Sequence, residues 1–157
     1  MDFTLLTKAL LMCVEEHSKQ KPDRDGNPHY AHSIRVMLKQ TTPERMIVAL
    51  LHDIPEDCGL EFYQTIETVF GPKIGYSVWM LTRTEGMPWN QYIRNVMKDE
   101  DAMYVKLADI EDNVSPGRMD EKARKNLIMY HEAYADICAA LGIRRSSFPF
   151  IPPCQPA

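Results

Sequence analysis

The sequence predicts an all-α fold, one compact bundle of about eight helices, and three observations carry that expectation. Apolar residues recur at three- and four-residue spacing along almost the whole chain. Strict alternation over strand length is hard to find. Gly and Pro punctuate the periodic stretches where helices would end or begin. At 157 residues the chain has the size of one domain, read as residues 1–145 with a Pro-rich tail over 146–157.

The first helix is expected over about Asp2 to Lys19, followed by a polar loop from Lys21 to Pro28 with an Asp25-Gly26 turn signal. A second covers about Tyr30 to Lys39. Thr41-Thr42-Pro43-Glu44 offers a hydroxyl cap, a proline for the first turn and a Glu three residues after Thr41, opening a third helix over Pro43 to Asp53. Pro55 removes a backbone donor and disfavours helical geometry at Ile54, so Glu56-Asp57 is expected at a bend. A fourth helix runs from Leu60 to Phe70, where Gly71 stops it, and Pro72 opens a fifth reaching Leu81. Trp89, Tyr92, Ile93, Val96 and Met97 form the apolar face of a sixth, read as core packing. The seventh spans about Asp101 to Asn113 before the Ser115-Pro116-Gly117 break, and the eighth runs from about Asp120 to Leu141, with Gly142 as its stop.

The chain is 45% hydrophobic and 25% charged, which argues against intrinsic disorder. A net charge of -4 offers no broad basic surface, so no nucleic-acid partner is expected, whereas a small anion is compatible if a bound cation supplies positive charge. Cys13, Cys58, Cys138 and Cys154 form no C-x-x-C pair and fit a reduced cytoplasm. No segment has the roughly 20 apolar residues that span a bilayer, and the N-terminus is unlike a secretory signal, so no membrane partner is expected. A homo-oligomer is compatible with all of this.

Polar residues intrude on apolar helices at three places. His52-Asp53 ends the run Ile47-Val48-Ala49-Leu50-Leu51, His32 precedes Ile34, Val36, Met37 and Leu38, and Asp109 sits within Val105-Lys106-Leu107-Ala108-Asp109-Ile110. Ionisable groups are rare at buried positions unless paired or ligating, and His and Asp suit a cation such as Mn²⁺, Fe²⁺ or Zn²⁺. One cation can satisfy all four residues. Glu56 lies four residues after His52 and Asp57 four after Asp53, which brings both carboxylates to the metal's edge as proton carriers. Lys106 either snorkels along its helix or reaches a phosphate. Lys21 and Arg24 are candidate ligand contacts on a loop that also suits solvated charges. His17, His29 and His131 are read as helix-end, loop and surface or core histidines; Tyr30, Tyr104 and Tyr130 suit stacking on a purine, although helix aromatics more often serve the core.

These residues together resemble a known family. The order His32, Ala49-Leu50-Leu51-His52-Asp53-Ile54-Pro55-Glu56-Asp57, Phe70-Gly71, Leu81-Thr82-Arg83 and Lys106-Leu107-Ala108-Asp109 is similar to the HD hydrolase domain of the Rel/Spo alarmone enzymes and their single-domain relatives. The likeness covers about residues 9–142 and extends to His17-Ser18-Lys19-Gln20 followed by Gly26, Pro28 and Tyr30. It implies ligation of one cation, usually Mn²⁺, by His32, His52, Asp53 and Asp109. It also implies catalysis by Glu56 and Asp57 and nucleotide binding by Asn113. The implied reaction releases pyrophosphate from the 3′ position of ppGpp or pppGpp. The chain departs from the family pattern at Ile110, where Arg is usual, and at Asp112, where His is usual. Pro55 replaces an ordinary apolar residue, and Lys19, Lys21 and Arg24 stand in approximately for the usual paired basic residues before His32. The alternatives are a phosphohydrolase of another nucleotide, such as a dNTP or NADPH, and a nucleotide sensor without turnover.

Overall fold

The computed structural model describes residues 4–23, 26–115 and 121–144, with the side chains of residues 122 and 123 left aside. Arg24, Asp25, Pro116, Gly117, the expected helix starts Asp2 and Asp120, and the tail over 146–157 lie outside the described residues. Among the described residues the chain forms nine helices and no strand. They are α1 (Thr4–His17), α2 (Tyr30–Leu38), α3 (Pro43–Leu51), α4 (Ile54–Asp57), α5 (Phe62–Phe70), α6 (Pro72–Leu81), α7 (Trp89–Val96), α8 (Glu100–Asn113) and α9 (Glu121–Ala140).

Two of these helices are enclosed on almost every side. Ile47, Val48, Ala49, Leu50 and Leu51 of α3 are all buried, as are Ala102, Met103, Val105, Lys106, Leu107, Ala108, Asp109, Ile110 and Asp112 of α8. Such helices belong at the centre of a bundle. α3 packs against α1, α2, α6 and α8, while α8 also meets α2, α6, α7 and α9. Polar contacts fix their register at one end. Arg45 of α3 donates to Asp101 and Glu100 at the start of α8, both at 2.8 Å, and its guanidinium lies 3.7 Å from the Tyr104 ring centre. Lys73 of α6 reaches the same Asp101 at 3.2 Å. Tyr104 is therefore committed to this clamp. Thr42 is the hydroxyl cap of α3, accepting from Arg45 N–H, and Asp99 caps α8 through Ala102 N–H.

The chain around Pro55 differs from the expected bend. α3 stops at Leu51 rather than Asp53, because the proline has no N–H to donate to the Leu51 carbonyl. His52 and Asp53 keep right-handed helical backbone angles, and α4 begins at once with Ile54, which Pro55 was expected to push out of helical geometry. The proline is harmless there, since a first-turn residue has no intrahelical acceptor for its N–H. Ile54 is fully buried, and that packing holds its backbone in place. The nearly continuous helical path preserves the four-residue stacking of His52 on Glu56 and Asp53 on Asp57.

α5 and α6 meet at Gly71, whose φ of 89° and ψ of 164° lie in a region that only glycine adopts readily. A Cβ placed there would meet nothing within 4 Å, so the cost of a side chain is conformational rather than steric. Gly71→Ala is expected to lower unfolding stability by about 1–3 kcal/mol in urea denaturation, and an unchanged midpoint would contradict the requirement for this backbone geometry.

Candidate active site and metal centre

The four residues expected to bind metal converge where α3 gives way to α4. His52 follows α3, Asp53 precedes α4, His32 comes from the first turn of α2 and Asp109 from the last turn of α8. Ligand atoms of His32, His52 and Asp109 all lie within 4.8 Å of one another. Asp53 flanks them, with one oxygen 3.1 Å from His52 Nε2 and the other 3.7 Å from His32 Nε2. The C-terminus of α3 adds the negative end of its dipole, which favours a cation.

Hydrogen bonds set each ligand's tautomer and aim. His52 Nδ1 donates to the Ala49 carbonyl at 2.8 Å, leaving the lone pair on Nε2, a buried atom without a hydrogen-bond partner. His32 Nδ1 donates to Asp112 at 2.7 Å, and its Nε2 stands 3.0 Å from Asp109 Oδ1. Asp112 is buried, and Arg35 forks onto it at 2.8 and 3.1 Å. Burial alone would lower the His32 pKa, yet its hydrogen bonds to Asp109 and Asp112 and the nearby Asp53 charge push it up to about 10. Burial opposes ionisation of Asp112, but His32 and Arg35 hold its carboxyl well below the usual range. Asp109 Oδ2 accepts from Lys106 Nζ at 2.7 Å and Oδ1 accepts from Asn113 Nδ2 at 2.7 Å. Burial disfavours charge on both Lys106 and Asp109, and their mutual attraction prevails, holding the lysine protonated and the carboxylate ionised.

A cavity of about 480 Å³ opens over this cluster. Five carboxylates line it (Asp23, Asp53, Glu56, Asp57 and Asp109) against Arg83, Lys106 and the protonated His32, and the lysine and the imidazole are already committed to Asp109. An anion entering such a cavity needs further positive charge. A divalent cation fits the donor set: an orphaned buried imidazole nitrogen, a second imidazole oriented by a carboxylate, and two acids.

Glu56 and Asp57 stand at the cavity edge, as their spacing predicts. Burial raises the Glu56 pKa, opposed by a hydrogen bond that it accepts from Arg83 N–H at 3.0 Å. Burial also raises the Asp57 pKa, reinforced by the Asp53 charge, while the hydrogen bond from His29 at 2.9 Å lowers it. Lys106 and Asn113 line the cavity and both grip Asp109. Lys21 is exposed on its loop and does not line the cavity, and Arg24 lies outside the described residues.

Several residues escaped the sequence reading. Asp112 orients His32, a role its i+3 position after Asp109 on a buried helix could have signalled. Trp89 faces the cavity rather than serving the core alone, and Tyr92, though buried, lines it too, whereas Ile93 and Val96 are buried as expected. Tyr130 lines the same wall and meets Trp89 edge to face at 5.8 Å. Ile110, in contrast, is fully enclosed in the core. His17 is fully buried against Cys13, and burial lowers its pKa to about 4.

No protein-family profile and no curated protein matches this sequence. Among solved structures, the chain shares its fold with a metazoan ortholog of SpoT described as hydrolysing ppGpp and acting in starvation responses. The two are 22% identical, with a TM-score of 0.71 over 87% of this chain and 86% of that one. The all-helical fold expected from the sequence resemblance is thereby established.

Two expectations follow for the metal centre. A cation must displace the proton that the carboxylates hold on His32, so affinity rises with pH, by about tenfold per unit, until His32 deprotonates near pH 10. Calorimetry at about pH 7 in buffers of different ionisation enthalpy will show roughly one proton released per ion, and no release would contradict the assignment. Asp112→Asn is expected to weaken metal binding by about 10–100-fold in competition with a chelator, because it removes the anion that orients His32.

Proposed function

We propose that this protein is a metal-dependent nucleotide phosphohydrolase that releases pyrophosphate from the 3′ position of ppGpp or pppGpp, with Mn²⁺ as its cation. The observation that carries the reading is that Glu56 and Asp57 line one acid-rich cavity with His32, Asp53 and Asp109, and that a ligand atom of His52 gathers with those of His32 and Asp109. Its sharing of a fold with a hydrolase of ppGpp supports the choice of substrate.

A divalent cation, when bound, supplies Lewis-acid polarisation of a phosphate oxygen and makes water more acidic. The chain's own residues do the rest. His32 and His52 present lone pairs fixed by Asp112 and the Ala49 carbonyl. Glu56, held by Arg83 N–H, accepts the proton of the attacking water, and its raised pKa suits that task. Asp57 serves as the second proton carrier, Arg83 balances phosphate charge at the cavity wall, and Lys106 keeps Asp109 ionised beside it. Trp89 and Tyr130 offer flat apolar faces to a purine, and Asn113 and Asn126 offer amides. The reading places the enzyme in the cytoplasm, in keeping with free thiols at Cys13 and Cys58. No helix among the described residues is long and apolar enough to cross a membrane.

Incubation with ppGpp and Mn²⁺, with products resolved by chromatography, is expected to yield pyrophosphate and GDP. Glu56→Gln should lower the rate by about 10²–10⁴-fold while retaining metal, and His52→Ala should lose both metal and activity. The wild-type rate should climb with pH through the upper carboxylate range as Glu56 ionises, then level off. Turnover of dNTPs or NADPH without turnover of ppGpp would replace the substrate; silence towards all of them would overturn the enzyme reading.

A further inference from the structure

Beside the centre just described lies a second group of ligand-type side chains. His17 closes α1, His29 immediately precedes α2 and Asp57 closes α4. One ligand atom from each lies within 4.8 Å of the other two. His29 Nε2 is 2.9 Å from Asp57 Oδ2, and the His17 and His29 ring centres are 5.2 Å apart. Two donor atoms bound at about 2.1 Å and a right angle stand roughly 3.0 Å apart, so the His29 and Asp57 pair already matches one edge of a coordination shell.

His17 supplies an independent observation. Its side chain is fully enclosed, its Nδ1 is occupied by Cys13 Sγ at 3.5 Å, and its Nε2 is buried without a hydrogen-bond partner. Native proteins leave few buried polar atoms without a partner, water or ion. The only other such atom among the described residues is His52 Nε2, in the first centre. The second group also has its own approach from solvent, a cavity of about 350 Å³ lined by His17, Ser18, Gly26, Pro28, His29 and Tyr30.

We propose that His17, His29 and Asp57 form a second binding site for a divalent transition cation, distinct from the His32, His52, Asp53 and Asp109 centre. Two imidazoles and one carboxylate suit a borderline ion such as Zn²⁺, Fe²⁺ or Mn²⁺ and leave coordination positions open. Asp57 joins the two centres, since it also lines the cavity over the first. A cation there adds positive charge to an acid-rich cavity and gives an anionic substrate a second point of attachment. That last consequence rests on the proposed phosphohydrolase; the existence of the site does not.

The test counts ions with Zn²⁺ as the probe. Metal-free full-length protein is equilibrated with Zn²⁺ by dialysis and its bound metal is measured by mass spectrometry. The wild type is expected to hold two ions and His29→Ala one; His29 is partly exposed, so this variant spares the core. His17→Asn, with its fold checked by circular dichroism, should lose the same ion, and His52→Ala should lose the other. If His29→Ala retains as many ions as the wild type, the second site is overturned. If the wild type holds a single ion that only His52→Ala removes, the second site fails while the first stands. If only His29→Ala removes it, the second site stands and the first centre fails.

Discussion

The burial of an ionised carboxylate at the centre of the bundle constrains everything around it. Asp109 sits on a helix enclosed on nearly every side, where a lone charge would be costly. Lys106, one turn earlier, neutralises one oxygen, and Asn113, one turn later, donates to the other. The same helix that closes the core thus carries its own counter-charge and its own amide, and the oxygen that takes the amide also faces His32. Because α3 packs against α8, that oxygen also faces the end of α3, where His52 and Asp53 emerge. The polar centre is a product of how two apolar helices pack.

A second layer of charges holds this arrangement steady. Arg35 follows His32 on α2 and reaches Asp112 on α8, so α2 is tied to α8 by the residue that also sets the His32 tautomer. Removing one partner of a buried charged network leaves the others exposed to the full desolvation cost, which makes the network an all-or-none feature. At the opposite end of α8, Asp101 receives Arg45 and Lys73 from two other helices. Acidic residues on α8 therefore fix its position at both ends, and the register of the bundle follows from them.

Much of this was legible in the sequence, for identifiable reasons. Proline and glycine placed the helix boundaries well, since Pro43, Pro72, Gly71 and Gly142 act locally through backbone geometry. The four candidate ligands stood out because acids and histidines inside apolar runs have few bland explanations, and the fold brings them together at one place. Asp112 was harder to read: compared with a family pattern it registers as a departure, yet in three dimensions it supplies the carboxylate that His32 needs. Trp89 was assigned to packing because periodicity reports which face of a helix is apolar, not whether that face meets a core or a cavity. His17 and His29 were read as helix-end and loop histidines because their proximity depends on how the end of α1 meets the start of α2, which no local spacing encodes. Lys21, legible as a basic loop residue, is exposed away from the cavity lining.

The two walls of the main cavity come from different parts of the chain. One, rich in acids and imidazoles, is built from α2, the junction of α3 and α4, and α8; the other, with Trp89, Asn126, Met129 and Tyr130, comes from α7 and α9. The division is incomplete on α7, where the Tyr92 and Trp89 ring centres stand 4.9 and 5.5 Å from Lys106 Nζ, whereas Asn126, Met129 and Tyr130 border the cavity from α9. Substitutions on that α9 face would reshape the space the cavity offers while the acids and imidazoles stay on other helices, much as a socket can be recut around a fixed pin.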